Sequence, residues 1–260
     1  MPSTIRVPYG EQPQQFADLY VPDADGRGRE ALPVVVLIHG GFWRAQYELD
    51  LMSPLAEDLA QSGYAAWNIE YRRVGQSGGG WPGTLHDVAA AIDGLADLPR
   101  SHRLDLDRAA FVGHSAGGHL ALWSAGRPAI PRGEPGANPA VVPRVAIGQG
   151  PVVALRRAAE QHVGNDAVID FLGGTPGAVP DRYDAATPRL YAGPRMVAVV
   201  GSDDDVVPPE FSVDDDQPDA VEVVTIDGAD HMVLIEPGGA PWSVVRSLLD
   251  VELRSRPPAG

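Results

Sequence analysis

Ala109-Ala110-Phe111-Val112-Gly113-His114-Ser115-Ala116-Gly117 carries an apolar strand pattern straight into Gly-x-Ser-x-Gly, and residues 116–125 continue as a helix. The two glycines permit a sharp strand-to-helix turn that lifts the Ser115 hydroxyl out of the backbone on a strained corner. A serine in an ordinary glycine-rich turn is the bland reading of the five residues alone. The strand before and the helix after favour the nucleophilic one.

Working outward, the same alternation repeats. Pro33 to Ile38 is a continuous β-branched run of the kind buried on both faces of a parallel sheet. Leu51, Met52, Leu55, Leu59 and Ala60 recur at helical spacing until Gly63, predicting a helix over 51–62. Tyr64 to Tyr71 reads as the next strand, and Leu85, Val88, Ala89, Ile92 and Leu95 place a helix over 84–97. Strands at 144–149, 196–200 and 221–226 and a closing helix at 242–253 complete the pattern, and 255–260 is expected to fray. Ahead of it all, 5–8 and 14–21 form an antiparallel edge hairpin. Pro and Gly crowd 127–143 into a surface loop, while 151–190 holds two weak helical stretches and is the candidate lid. The fold class is α/β: a mostly parallel central sheet with helices on both faces.

A chain of 260 residues fits one large α/β domain spanning 1–260. At that length roughly 70–75% of the unfolded surface can be buried, so the core needs no metal or disulfide. Zero cysteines remove disulfides, thiolate nucleophiles and Cys-type zinc sites together. All 20 basic residues are arginine, which removes Schiff-base, P-loop and Ser-Lys chemistry. A net charge of −15 repels phosphate backbones and anionic bilayers, so no nucleic-acid or membrane partner is expected. No basic start precedes a long apolar stretch and no apolar run approaches about 18 residues. The expectation is a cytoplasmic protein.

In open α/β sheets ligands bind beyond the carboxyl ends of the strands. After the first parallel strand stands His39-Gly40-Gly41-Phe42-Trp43. A glycine pair there lets the backbone turn N–H groups toward the nucleophile, so Gly41, Phe42 and Ala116 are the candidate oxyanion donors. The side chains of His39 and Trp43 are read as packing or loop-bracing groups.

With Gly-x-Ser-x-Gly and His-Gly-Gly-x-Trp both in place, the chain from about Pro33 onward resembles α/β-hydrolases of the HGGxW esterase group, which includes arylformamidase (kynurenine formamidase) and related carboxylesterases. The resemblance implies an acid after a late strand and a histidine after the last one. Of the seven histidines, His39, His86, His102 and His114 precede Ser115, and His119 lies one turn beyond it on the same helix. His162 falls in the lid segment, which leaves His231 in Gly228-Ala229-Asp230-His231. The family spacing G-x-x-D-x-x-V-P selects Asp204 within Gly201-Ser202-Asp203-Asp204-Asp205-Val206-Val207-Pro208, with Asp203 and Asp205 as the alternatives. Asp214-Asp215-Asp216 follows no strand and reads as a solvated turn.

Gly78, Gly80 and Gly83 satisfy G-x-G-x-x-G formally, yet the first glycine lies beyond the strand tip and Pro82 occupies a position that should approach a dinucleotide. Trp81 on this loop is a candidate pocket wall. No H-E-x-x-H or other ligand spacing exists, so neither metal nor cofactor is expected. The implied function is a serine hydrolase cleaving a small carboxylic ester through an acyl-enzyme. An arylformamidase acting on N-formylkynurenine is the alternative, and a non-catalytic ligand-binding protein on the same fold is the alternative of another class.

Overall fold

Val34 to Ile38 is completely inaccessible to solvent because alternate side chains enter two different cores. The computed structural model describes residues 2–23, 31–98, 100–189, 193–214, 216, 217 and 219–254; the expected fraying of 255–260 lies outside them. The strands are β1 (Ser3–Pro8), β2 (Phe16–Val21), β3 (Leu32–Ile38), β4 (Ala65–Ile69), β5 (Leu104–His114), β6 (Val145–Gln149), β7 (Arg195–Gly201) and β8 (Glu222–Ile226). They form one sheet in the order β1-β2-β4-β3-β5-β6-β7-β8. The pairs β1/β2 and β2/β4 are antiparallel and all the others parallel. The amino-terminal hairpin and the mostly parallel sheet are therefore as the sequence predicts.

Side-chain period two sorts the core. Val34, Val36 and Phe111 face helices α2 (Gly83–Asp93) and α3 (Ala116–Ala125) through Leu85, Val88, Ile92 and Leu120. Val35, Leu37, Val112 and Ile147 face α1 (Ser53–Gln61) and α7 (Ala240–Arg254) through Leu55, Leu59, Trp242 and Leu249. Truncating one of these leucines to alanine typically costs about 2–5 kcal/mol, a large share of a domain's net stability.

Three expectations shift. The strand predicted from Ala109 begins at Leu104, because Leu104 and Asp105 pair with Leu32 and Pro33 across a register shift. The helix predicted over 84–97 is α2 followed by a 3-10 turn at Gly94–Asp97. Within 151–190, three short helices occur among the described residues in place of two: α4 (Leu155–Glu160), α5 (Ala167–Leu172) and α6 (Pro180–Ala186). Their packing follows from α3, every residue of which is buried. A helix without a polar face needs cover on its outer side. Phe171 and Tyr183, both buried, supply apolar cover, and the carbonyls of Ala185 and Ala186 accept Trp123 Nε1–H at 3.0 Å and His119 Nε2–H at 2.8 Å.

Candidate active site

Ser115 links β5 to α3 with φ 56° and ψ −121°. A backbone held in so sparsely populated a region costs on the order of 1–3 kcal/mol and persists only where its surroundings over-determine it. They do so here. A Cβ on Gly113 would stand 2.1 Å from the Gly117 carbonyl oxygen, and one on Gly117 would stand 2.1 Å from the Ile38 oxygen, so neither position admits a side chain. Ser115 N–H donates to Gln149 O at 2.8 Å, tying the corner to the end of β6. The residue lines a cavity of about 240 Å³ together with Gly41, Phe42, Tyr47, Leu51, His114, Val206, His231 and Met232.

Asp204 follows β7 and His231 follows β8, on adjacent parallel strands. His231 Nδ1 and Asp204 Oδ2 are 2.6 Å apart, with both residues 5% exposed. The second oxygen, Oδ1, accepts the N–H groups of Val206 at 3.0 Å and Val207 at 2.8 Å, which fixes the carboxylate plane. Asp203 and Asp205 are exposed, and Asp203 accepts the Ser202 hydroxyl. With Nδ1 committed to the carboxylate, His231 has Nε2 left for the cavity it lines. His162, by contrast, is largely exposed and pairs with Asp166 at 2.5 Å.

Gly150 is a member of this arrangement that sequence reasoning missed. At φ +56° it packs flat against the Asp204–His231 pair, and a Cβ there would stand 3.0 Å from both Asp204 Oδ2 and His231 Nδ1. Its place directly after β6, on the ligand-binding edge of the sheet, was the available signal. Gly150→Ala is expected to lower kcat about 100-fold, since displacements near 1 Å at reacting groups cost that much. Steady-state kinetics beside a circular-dichroism spectrum check this.

The loop after β3 is unusual in conformation. Gly41, Phe42 and Trp43 have φ of 107°, 55° and 53° in succession. For each of the two larger residues the left-handed state costs roughly 1–2 kcal/mol. The turn leaves the N–H groups of Gly41 and Phe42 without an acceptor among the described residues. Ala116 N–H, at the first position of α3, has no partner within its helix. Gly40 permits the close approach, since a Cβ there would meet His114 O at 2.7 Å and Ser115 Cβ at 3.0 Å.

Beneath the loop lies a buried polar network. His39 stacks on Tyr71 at 4.4 Å, donates from Nδ1 to Gly40 O at 2.8 Å and faces Glu70 Oε1 with Nε2 at 3.2 Å. Arg73 stands 2.8 Å from the same carboxylate. Burial pushes the Glu70 carboxyl up, but the His39 hydrogen bond, the charges of His39 and Arg73 and the Tyr71 N–H outweigh it, leaving the group below its usual range. Glu70 was missed in the sequence, although an acid placed directly after the apolar strand β4 was visible there.

His114 Nε2–H donates to the His231 carbonyl at 3.0 Å, and the two rings lie 4.5 Å apart. Burial, then the charge of His231, lowers the His114 pKa to about 3, and burial lowers that of His119 to about 4. Both imidazoles are thus neutral in the fold at pH values where the unfolded chain already binds protons. Folded pKa values below the unfolded value of about 6.5 mean that stability is lost as pH falls from there toward 3–4, approaching ~1.4 kcal/mol per pH unit for each group. Thermal melts from pH 7 to 4 are expected to show this fall, and His119→Gln is expected to flatten it.

Trp81, the candidate pocket wall, stands apart from the serine. Trp81 does not line the Ser115 cavity; its N–H donates to Phe171 O at 2.8 Å, which turns the loop toward the 151–190 segment. There Trp81 borders a separate groove with Glu134, Asp181, Arg182 and Arg189.

A mostly parallel sheet with a strained serine corner, an Asp-His pair beyond its last two strands and a glycine loop after β3 defines the class as α/β-hydrolase. The BD-FAE family model matches residues 17–216, and the chain belongs to that family, an α/β-hydrolase esterase group. The chain is 34% identical over 115 residues to a probable carboxylic ester hydrolase, LipM, of Mycobacterium tuberculosis. It is 37% identical over 119 residues to a probable isoprenylcysteine alpha-carbonyl methylesterase of Oryza sativa. Each match covers 44% of this chain and 26% of the relative. Among solved structures, a truncated carbohydrate esterase from gut microbiota superposes with a TM-score of 0.77 at 17% identity, covering 98% of this chain and 97% of that one. The esterase Est2 of Thermogutta terrifontis, with propionate bound, gives 0.72 at 22% identity over 99% and 97%. Likeness at this identity concerns the fold.

Proposed function

We propose that the protein is a serine hydrolase that cleaves small carboxylic esters through an acyl-enzyme. The observation that carries the reading is the 2.6 Å contact of Asp204 with His231 beside a serine strained into the same cavity. His231 Nε2 takes the Ser115 proton as Oγ forms a bond to the acyl carbon, and the carbonyl oxygen becomes an anion facing the N–H groups of Gly41, Phe42 and Ala116. Collapse of the tetrahedral adduct breaks the ester C–O bond, and His231 returns the proton to the departing alkoxide. Water, deprotonated by the same imidazole, then attacks the acyl-enzyme and releases the acid with Ser115 regenerated. Asp204 holds the ring in the Nδ1–H tautomer and stabilises the imidazolium formed in each half.

The cavity supports a small, uncharged acyl group. Its volume of about 240 Å³ falls below the roughly 300–1,000 Å³ usual for drug-sized ligands. Phe42, Tyr47, Leu51, Val206 and Met232 make its walls apolar, and among the described residues neither an arginine nor a carboxylate lines it. N-Formylkynurenine carries an ammonium and a carboxylate that such walls leave unpaired, which favours a simple ester over the arylformamide.

A series of p-nitrophenyl esters from acetate to decanoate, beside N-formylkynurenine and a serine-directed phosphonate, tests the proposal. Expected are kcat/KM highest at two to four acyl carbons, at least 100-fold lower values for decanoate and the formamide, and full inactivation by the phosphonate. Turnover untouched by the phosphonate would remove the serine mechanism, and absence of turnover on every ester would favour a binding protein.

A further inference from the structure

We infer that Arg44 is a positioning residue for the oxyanion loop, and that the 162–171 portion of the 151–190 segment is the fixed buttress against which Arg44 sets it. The inference rests on the proposed role of the Gly41 and Phe42 N–H groups.

The turn through Phe42 and Trp43 is closed by its own Arg44 N–H to Gly41 O bond at 3.0 Å, yet two side-chain-bearing residues held left-handed in succession persist only where the surroundings also fix them. The Arg44 side chain crosses to the turn between α4 and α5. Nη1 donates to Gly164 O at 2.8 Å, and Nη2 donates to Asn165 O and to Asp170 Oδ2, the latter at 2.8 Å. One guanidinium thus binds two carbonyls and a carboxylate with two of its nitrogens, a fan of donors that an ammonium cannot reproduce from one position. On the other side of the loop, Val74 N–H donates to Trp43 O at 2.8 Å and Ala45 N–H to Val74 O at 3.1 Å. The backbone flanking Arg44 is fixed there, so the side chain spans between two anchored surfaces.

The contacts of the neighbouring rings agree. A Cβ on Gly164 would stand 2.3 Å from Phe42 Cε1, so the ring of the oxyanion residue itself lies on the bare face of that glycine. Trp43 stacks on Phe171 of α5 at 4.7 Å with an interplanar angle of 7°. The buttress has a defined shape of its own: His162, Gly164, Asn165 and Asp166 are all left-handed, with φ of 57°, 61°, 55° and 64°, and His162 Nδ1 contacts Asp166 Oδ1 at 2.5 Å. The 162–171 stretch is therefore packed against the oxyanion loop by Arg44, Phe42 and Trp43 together, as a buttress requires.

Loss of the clamp disturbs donors that matter most when the carbonyl oxygen is an anion, so kcat falls with little change in KM. The experiment compares wild type, Arg44→Ala, Arg44→Lys and Asp170→Ala on p-nitrophenyl butyrate. It also measures inhibition by an alkyl trifluoromethyl ketone, which adds to the serine as a tetrahedral anion. Expected for Arg44→Ala are a 10- to 100-fold drop in kcat, KM within about twofold, and ketone affinity weakened by a similar factor. Lysine is expected to rescue little, and Asp170→Ala, at an exposed position, to give a loss of a few-fold with the same kinetic signature. Unchanged kcat in folded Arg44→Ala overturns the clamp, as does full rescue by lysine or a loss of kcat with ketone affinity intact. If Arg44→Ala does not fold, unchanged kcat and ketone affinity in Asp170→Ala overturn it. Phosphonate labelling of Ser115 in each variant separates the two readings: labelled but unaffected variants refute the clamp alone, whereas an unlabelled, active wild type refutes the serine mechanism beneath it.

Discussion

Alanine at Ser115 or at His231 is expected to lower kcat by about 10⁶-fold, and the double variant to be scarcely worse than either single one, because nucleophile and base act as one unit. The two variants should differ in stability. Ser115→Ala keeps the left-handed corner and removes one hydroxyl. His231→Ala leaves the 5%-exposed carboxylate of Asp204 with one oxygen unpaired, a cost of roughly 1–3 kcal/mol or more. Initial rates over six decades and a melting curve for each variant check both statements. An active His231→Ala enzyme beside a silent His162→Ala enzyme would move the base into the 151–190 segment.

The second large effect separates three neighbours in sequence. Asp204→Asn is expected to cost on the order of 10⁴ in kcat, since an amide in place of the carboxylate favours the wrong imidazole tautomer. Asp203→Asn and Asp205→Asn should stay within a few-fold of wild type and within about 1 kcal/mol in stability, as both side chains are exposed. The contrast is readable from crude rates. Comparable losses at Asp203 or Asp205 would contradict the geometry in which only Asp204 meets His231 Nδ1.

How much of this was legible before the fold was seen depends on how local each feature is. The Gly-x-Ser-x-Gly corner is encoded in five consecutive residues, and the oxyanion loop in His39 to Trp43, so their strand-end positions could be read directly. Choosing Asp204 from three aspartates needed the family spacing, because nothing in a run of acids says which one turns inward. The backbone amides of Val206 and Val207 decide that, and they are placed by the turn. Gly150 and Arg44 escaped because their partners are remote in sequence; Arg44 meets residues more than a hundred positions away, and Glu70 is tied to the glycine loop only through His39, 31 positions before it. Helices α4, α5 and α6, at six or seven residues, are too short for periodicity to speak and too short to be stable alone. They exist because α3 has no polar face to leave in water, a feature that Ala116 to Ala125 did display. Which groove Trp81 borders was not legible, because the direction of its loop is set by a backbone bond to Phe171, outside any local pattern.

An acyl group that passes through a covalent bond to Ser115 can be trapped there. The enzyme is mixed with excess p-nitrophenyl butyrate, quenched in acid within milliseconds, digested and mapped by mass spectrometry. Expected is a butyryl group on the peptide carrying Gly113-His114-Ser115-Ala116-Gly117, accumulating with the initial burst of p-nitrophenol and absent from Ser115→Ala. An acyl group on another residue, or full turnover by Ser115→Ala with no adduct in either protein, would contradict it.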